Sequence, residues 1–165
     1  MDRLIPALIV VGVIVALFAL VAWGWTARRR AQTAQFPAPA RPVEGMPVRG
    51  EPVAGMYVAT TLADQPLERV AAHGLGLRTS AFLAIADDGV IIDRDGVDDL
   101  LIPVHDISGV STASGMIGKF VEKDGLIVIS WRLGDTAVDT GFRTRAAADR
   151  TPTIDHIRQL IGENS

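Results

Sequence analysis

Apolar residues run unbroken from Leu4 to Ala27, LIPALIVVGVIVALFALVAWGWTA, and none of these 24 residues is charged. As a helix the stretch extends about 36 Å, against a bilayer hydrocarbon core of about 30 Å. The pattern predicts one membrane crossing with some tilt. Trp23 and Trp25 close it, where an indole keeps its ring in the interface and its N–H near water, and Arg28, Arg29 and Arg30 follow at once. A cleaved signal peptide has a shorter apolar core of about 7–15 residues and ends in small residues, not an arginine triplet. A buried core helix is the other reading, and a domain this small could not surround so long an apolar run. Asp2 offsets Arg3 on one flank while three arginines lie on the other, so the expected orientation places the N-terminus outside and the remainder in the cytoplasm.

From Ala31 to Pro52 the periodicity vanishes. Pro37, Pro39, Pro42, Pro47 and Pro52 punctuate this segment, which predicts a semi-rigid polyproline tether. With Arg41 and Arg49, the arginine triplet also suits contact with anionic lipid. Beyond it the hydrophobic period becomes two. Strands are expected at Met56–Leu62, at 81–86, at 90–94, at 100–104 and at Ile107–Thr112, then in LIVISWRL and TAVDTGFRT; aspartate–glycine turns at 87–89, 95–96, 124–125 and 134–135 separate them. LIVISWRL is apolar on both faces through Ile129, which marks a central strand. A short helix is expected over 64–74 because Leu67, Val70 and Ala71 recur at helical spacing after Pro66 and before Gly74. The chain ends in a helix capped by Thr151, with Pro152 in its first turn, an apolar stripe of Ile154, Ile157, Leu160 and Ile161, and Gly162 as its stop. About seven antiparallel strands followed by one helix imply a bent sheet, or partly open barrel, plugged at one end.

Three units result: residues 1–30 as anchor with basic stop, 31–52 as linker and 53–165 as one mainly β domain. Charge divides along the same lines. Residues 1–52 carry a net +3 and the remainder a net −6. An acidic domain with few aromatic residues is poorly suited to nucleic acid. There is no cysteine, which excludes disulfides, thiolate catalysis and iron–sulfur or zinc–thiolate sites.

Motifs of enzymes and cofactor sites are absent or incomplete. A phosphate loop at Gly115, Gly118 and Lys119 lacks its first glycine, replaced by Ala113, and has Phe120 where Ser or Thr is required. The acidic group Asp93, Asp95, Asp98 and Asp99 lacks the third ligand before its glycine and the later glutamate of a calcium loop, and reads as a solvated turn. His73, His105 and His156 lie far apart with no i, i+4 pair. No nucleophile elbow surrounds any serine. The expectation is a protein without catalytic residues, cofactor or metal. Its remaining candidate contacts, to ligand or partner, are the basic side chains Lys119, Lys123, Arg143 and Arg145.

The order of elements resembles a pleckstrin-homology-like (PH-like) domain, a seven-stranded bent sheet closed by a C-terminal helix. Tyr57–Thr61 (YVATT), Arg69–Gly76 (RVAAHGLG), Gly125–Gly134 (GLIVISWRLG) and Asp139–Arg143 (DTGFR) are similar to a family of small bacterial membrane proteins with one N-terminal helix and a PH-like domain. These are labelled as membrane, export or transporter proteins and are often encoded near pyrimidine-biosynthesis genes. The resemblance implies no catalytic residues. The sequence thus leads to a non-enzymatic, single-pass scaffold of the plasma membrane whose cytoplasmic domain recruits a protein partner, docked at an exposed sheet edge. The other reading is an accessory subunit of an export or transport complex.

Overall fold

The computed structural model describes residues 4–116, 119–120 and 125–164. Helix α1 covers Leu4–Gln35. Ten strands follow: β1 Val48–Leu62, β2 Gln65–Arg69, β3 Thr79–Ala86, β4 Gly89–Arg94, β5 Leu100–Pro103, β6 Ile107–Ala113, β7 Gly115–Met116, β8 Lys119–Phe120, β9 Leu126–Leu133 and β10 Thr136–Thr144. Helix α2, Arg150–Glu163, closes the domain. The main sheet runs β5-β4-β3-β1-β10-β9-β6, with β2 hydrogen-bonded to β1 and every pairing antiparallel.

Strand β1 holds the sheet together. Its first part pairs with β3 and its last part with β10, and Gly55, Met56 and Tyr57 pair with both. The sheet therefore bends across β1, and the interior of the bend fills with Tyr57, Leu83, Ile92, Ile102, Ile129 and Phe142. Helix α2 lays Ile154, Ile157 and Leu160 into the same core, the stripe expected from sequence. It starts at Arg150, one residue before the expected cap, and Gly162 lies inside it. Instead of a Thr151 cap, the Thr153 hydroxyl donates to the Asp149 carbonyl.

The two apolar faces of β9 are both used. Ile127, Ile129 and Trp131 point into the core, while Leu126 and Val128 on the outer face are covered by Met116. The residues weighed above as an incomplete phosphate loop, Gly115 and Lys119, thus lie in a small two-stranded sheet, β7–β8. A side chain at Gly141 would lie 2.8 Å from the Met116 sulfur, so glycine at this position of β10 lets the hairpin settle.

Two expectations are corrected. Residues 65–69 form strand β2, not a helix; all five are exposed, and Pro66 is tolerated because β2 pairs on one side alone. Asp64 at φ 61° turns the chain from β1 into β2, and only a 3-10 turn at Ala72–Gly74 is helical, with His73 at φ 53°. The tether, in turn, is not free of the domain. Phe36 is buried in the main core and its carbonyl lies 2.9 Å from His73 Nε2. Ala40 bridges to Leu101 of β5, and Arg41 pairs with Asp98 at 2.7 Å. A side chain at Gly134, in the left-handed β9–β10 turn, would lie 2.8 Å from the Pro37 ring. Residues 36–41 form a strap across the end of the sheet.

Candidate docking surfaces

The sheet has two edges. On β5, the Leu101 N–H donates to the Ala40 carbonyl at 2.9 Å, so the strap already occupies that edge. On β6, sequence ISGVSTA, there is no charge and no proline, and Ser108, Ser111 and Thr112 are exposed. Helix α2 packs alongside it. Natural sheets guard an edge with lysine, proline or a covering segment; β6 has no strand beyond it among the described residues.

The four basic contacts expected from sequence divide. Arg143 and Arg145 line one pocket of about 200 Å³ with Gly55, Met56, Ser80 and Thr144. Lys119 lies on β8, whose hairpin sits on the same outer face of β10 through the Met116–Gly141 contact; its side chain, and the whole of Lys123, fall outside the described residues. Register explains the pocket. Ser80 and Arg143 are the partners of Met56 on either side, so the three side chains form a row across β3, β1 and β10. Arg145 follows one residue past the end of β10, and the Arg78 guanidinium reaches the Met56 sulfur from β3's approach. Sequence reading missed Met56, Ser80 and Arg78 here; their shared outward parity opposite Tyr57 becomes visible only when the pairing of β1 with both neighbours is known.

A second concavity lies under α2. The β1–β3 register slips between Arg49 and Val53, and the bulge opens a cavity of about 120 Å³ floored by Val53, Leu83 and Ile85 and bordered by Arg49, Asp149 and His156. Arg49 clasps its rim by pairing with Asp87 at 2.6 Å and Glu163 at 2.7 Å. The Arg49 hydrogen bond holds the Glu163 carboxyl below the usual carboxylate range. Outside the same bulge is a groove of about 570 Å³ lined by Glu51, Pro52, Phe82, Ala84, Ile91, Asp93 and Asp99. Burial, followed by the nearby Asp99 and Asp95, pushes the Asp93 carboxyl upward. The rest of the acidic turn is structural: Asp98 presents its carbonyl to the buried Arg94 guanidinium.

Of the interface residues expected in the anchor, Trp23 is exposed on α1. The side chains of Trp25, Arg28, Arg29 and Arg30 lie outside the described residues, as do residues 1–3. Every described side chain from Ile9 to Gly24 is exposed, but among the described residues no helix is long and apolar enough to cross a membrane. No group of three or more His, Asp or Glu residues among those described is placed to hold a metal ion.

Comparison with curated proteins finds no match. A family model described as Bacterial PH domain-like matches residues 34–158, beginning just before the strap's Phe36 and ending within α2. Domains of this kind are typically non-catalytic. The bent antiparallel sheet, its closing helix and the span of this match agree: the chain belongs to the bacterial PH domain-like family.

Proposed function

We propose that the protein is a non-enzymatic, membrane-anchored scaffold that recruits a protein partner to the cytoplasmic face of the plasma membrane. One observation carries the reading: the sheet's two edges are treated differently. The chain covers β5 with its own strap, whereas β6, uncharged and beside α2, has no strand beyond it among the described residues. Extended segments add to such edges through main-chain hydrogen bonds, with side-chain pockets selecting the sequence. The anchor rests on the charge-free run from Leu4 to Ala27 and on the exposed apolar side chains of α1, Phe18 and Val21 among them. So large an apolar surface calls for lipid or another protein to cover it.

The same exposed helix also suits packing against other membrane helices, which is the accessory-subunit reading. Copurification of the full chain in mild detergent separates the two: a soluble partner supports the recruiter, and a multi-pass partner the accessory subunit. For the recruiter, capture of the soluble partner drops with Ser111→Lys and with Ser111→Glu, each of which places a charge on the edge strand. Capture unchanged by both variants overturns docking at β6. Reporters fused after Ser165 and active on one side of the membrane only test the cytoplasmic placement.

A further inference from the structure

The outer face of β3, β4 and β5 carries apolar side chains that the chain itself covers only in part. Ala86, Ile91 and Leu101 cluster there with Met46, from the loop that precedes β1, packed against them. Toward the β1 bulge the same face is open. Ala84 and Ile91, partners across β3 and β4, floor the groove, and the next outward pair, Phe82 and Asp93, continues it. Of the domain's described aromatic side chains, Phe82 alone is exposed. We propose that this groove docks an amphipathic helix of a partner protein, its apolar side chains on Phe82 and a lysine or arginine at each wall.

Charge selects the occupant. Glu51 stands with Pro52 on the β1 side of the groove, and Asp93 and Asp99 stand on the β4–β5 side. Strand β3 lies between β1 and β4, so the walls are two strand spacings apart, about 10 Å. Among the described residues no basic side chain pairs with Glu51, Asp93 or Asp99, whereas Asp87, Asp98 and Glu163 each hold an arginine. Burial and then the neighbouring Asp99 and Asp95 push the Asp93 carboxyl up, and a cation brought to this wall offsets the crowding of charge. Two basic residues seven apart on a helix lie on one face about 10 Å apart along its axis, with apolar residues three and four along aimed at the floor. A helix crossing the strands thus meets both walls and Phe82 together, the way amphipathic helices settle into apolar grooves. The same carboxylates repel anionic lipid and nucleic acid.

Full-length protein in phosphatidylcholine nanodiscs is titrated with an alanine-rich peptide of about 14 residues, long enough to form a helix. The peptide carries two lysines seven positions apart with two leucines between them; a second peptide has glutamate in place of lysine. The amide resonances of Phe82, Ala84 and Asp93 are followed. The expected result is a saturable shift of all three with the lysine peptide and none with the glutamate peptide. Phe82→Ala weakens binding about tenfold, as loss of an aromatic anchor does. Glu51→Gln combined with Asp93→Asn weakens it about fivefold, the worth of two partly exposed charge pairs. Asp135→Asn combined with Asp155→Asn removes as much charge outside the groove and leaves binding unchanged. The dispersion of each variant's spectrum reports whether it folds. No saturable shift, equal shifts with both peptides, or unchanged affinity in the folded Glu51→Gln, Asp93→Asn protein overturns the site. Shifts that grow with the number of copies per nanodisc before peptide is added assign the groove to a second copy, and overturn it equally. Strand β6 lies beyond β10 and β9 at the other end of the sheet, so no result here bears on capture of a partner there, and the two ideas fail separately.

Discussion

The Arg94 guanidinium lies over the ring of Tyr57, 4.9 Å from its centroid. Arg94 is 2% exposed, and its guanidinium is held by carbonyls: Nε donates to Asp98 O at 2.9 Å and Nη1 to Gly74 O at 3.1 Å. It therefore ties the β4–β5 turn to the left-handed turn at His73 and Gly74. Arg94→Leu leaves both carbonyls without that donor and costs about 2–4 kcal/mol of stability. Arg94→Lys, a point charge without the planar fork, recovers less than half of the loss. Urea unfolding of the two variants beside the parent measures both values.

On its other side Tyr57 belongs to a hydrogen-bond chain of fixed sense. The Trp131 indole N–H donates to Thr140 Oγ1 at 2.8 Å, Thr140 and Thr60 share a contact of 2.7 Å, Thr60 and Tyr57 one of 2.8 Å, and Tyr57 donates to the Leu75 carbonyl at 2.7 Å. Each hydroxyl has one proton, so Thr140 donates to Thr60 and Thr60 to Tyr57. Burial pushes the Tyr57 phenol up to about 12, against weaker opposing effects of Thr60 and Arg94. Because the folded value is raised, the associated stability is complete below the unfolded value of about 10. It is lost as pH rises toward 12, by about 1.4 kcal/mol per pH unit. Tyr57 is the chain's one tyrosine, so phenolate absorbance reads it directly: its midpoint lies higher in folded protein than in urea. Tyr57→Phe abolishes this part of the alkaline slope.

The clasp at Arg49 has the opposite sign. Glu163 is held below its ordinary value by Arg49 and then by Gln159. Its contribution is present above the unfolded carboxylate range and fades as pH falls through the lower, folded value. Glu163→Gln makes the acid limb of a stability-versus-pH curve shallower and leaves the alkaline limb unchanged. Both partners are solvent-exposed, so the difference shrinks in high salt. Thermal melts between neutral and acid pH at two ionic strengths check it.

The strap gives a prediction at one amide. Phe36→Ala removes a buried ring at a cost of about 3 kcal/mol. It also frees the segment that carries Ala40, so the Leu101 N–H, bonded to the Ala40 carbonyl, loses its protection from hydrogen exchange. Exchange at Ile92, paired with Leu83 and Leu100 inside the sheet, accelerates much less. Equal acceleration at both amides contradicts a strap that opens locally.

What the sequence made legible follows from local chemistry. The turns at Asp95–Gly96 and Gly134–Asp135, the doubly apolar strand β9 and the stripe of α2 all rest on neighbouring residues, and all are present. The reading of a helix at 64–74 failed because Leu67, Val70 and Ala71 fit a helical period by coincidence; Leu67 is exposed on an edge strand, whereas Val70 is buried. Reversal there comes from left-handed Asp64 and His73, residue types that do not announce that conformation as glycine does. Phe36 was hidden for another reason. A lone aromatic among prolines has no periodic partner, and its socket is assembled from distant elements. Arg94 stood at a legible place, since Val90, Ile92 and Arg94 share one parity, but its acceptors are carbonyls, which sequence cannot specify. Half of the outer-face pocket was readable: Arg143 near the end of β10 and Arg145 just past it, but not the Met56 and Ser80 that also line it.

The strap also determines how the domain bears load. Residues 36–41 stand between α1 and β1, so tension applied through the N-terminal helix reaches the Phe36 socket and the Ala40–Leu101 bridge before it reaches the sheet. These contacts act as a mechanical fuse: they part first, lengthen the connection and spare the β1 pairings that hold the sheet together.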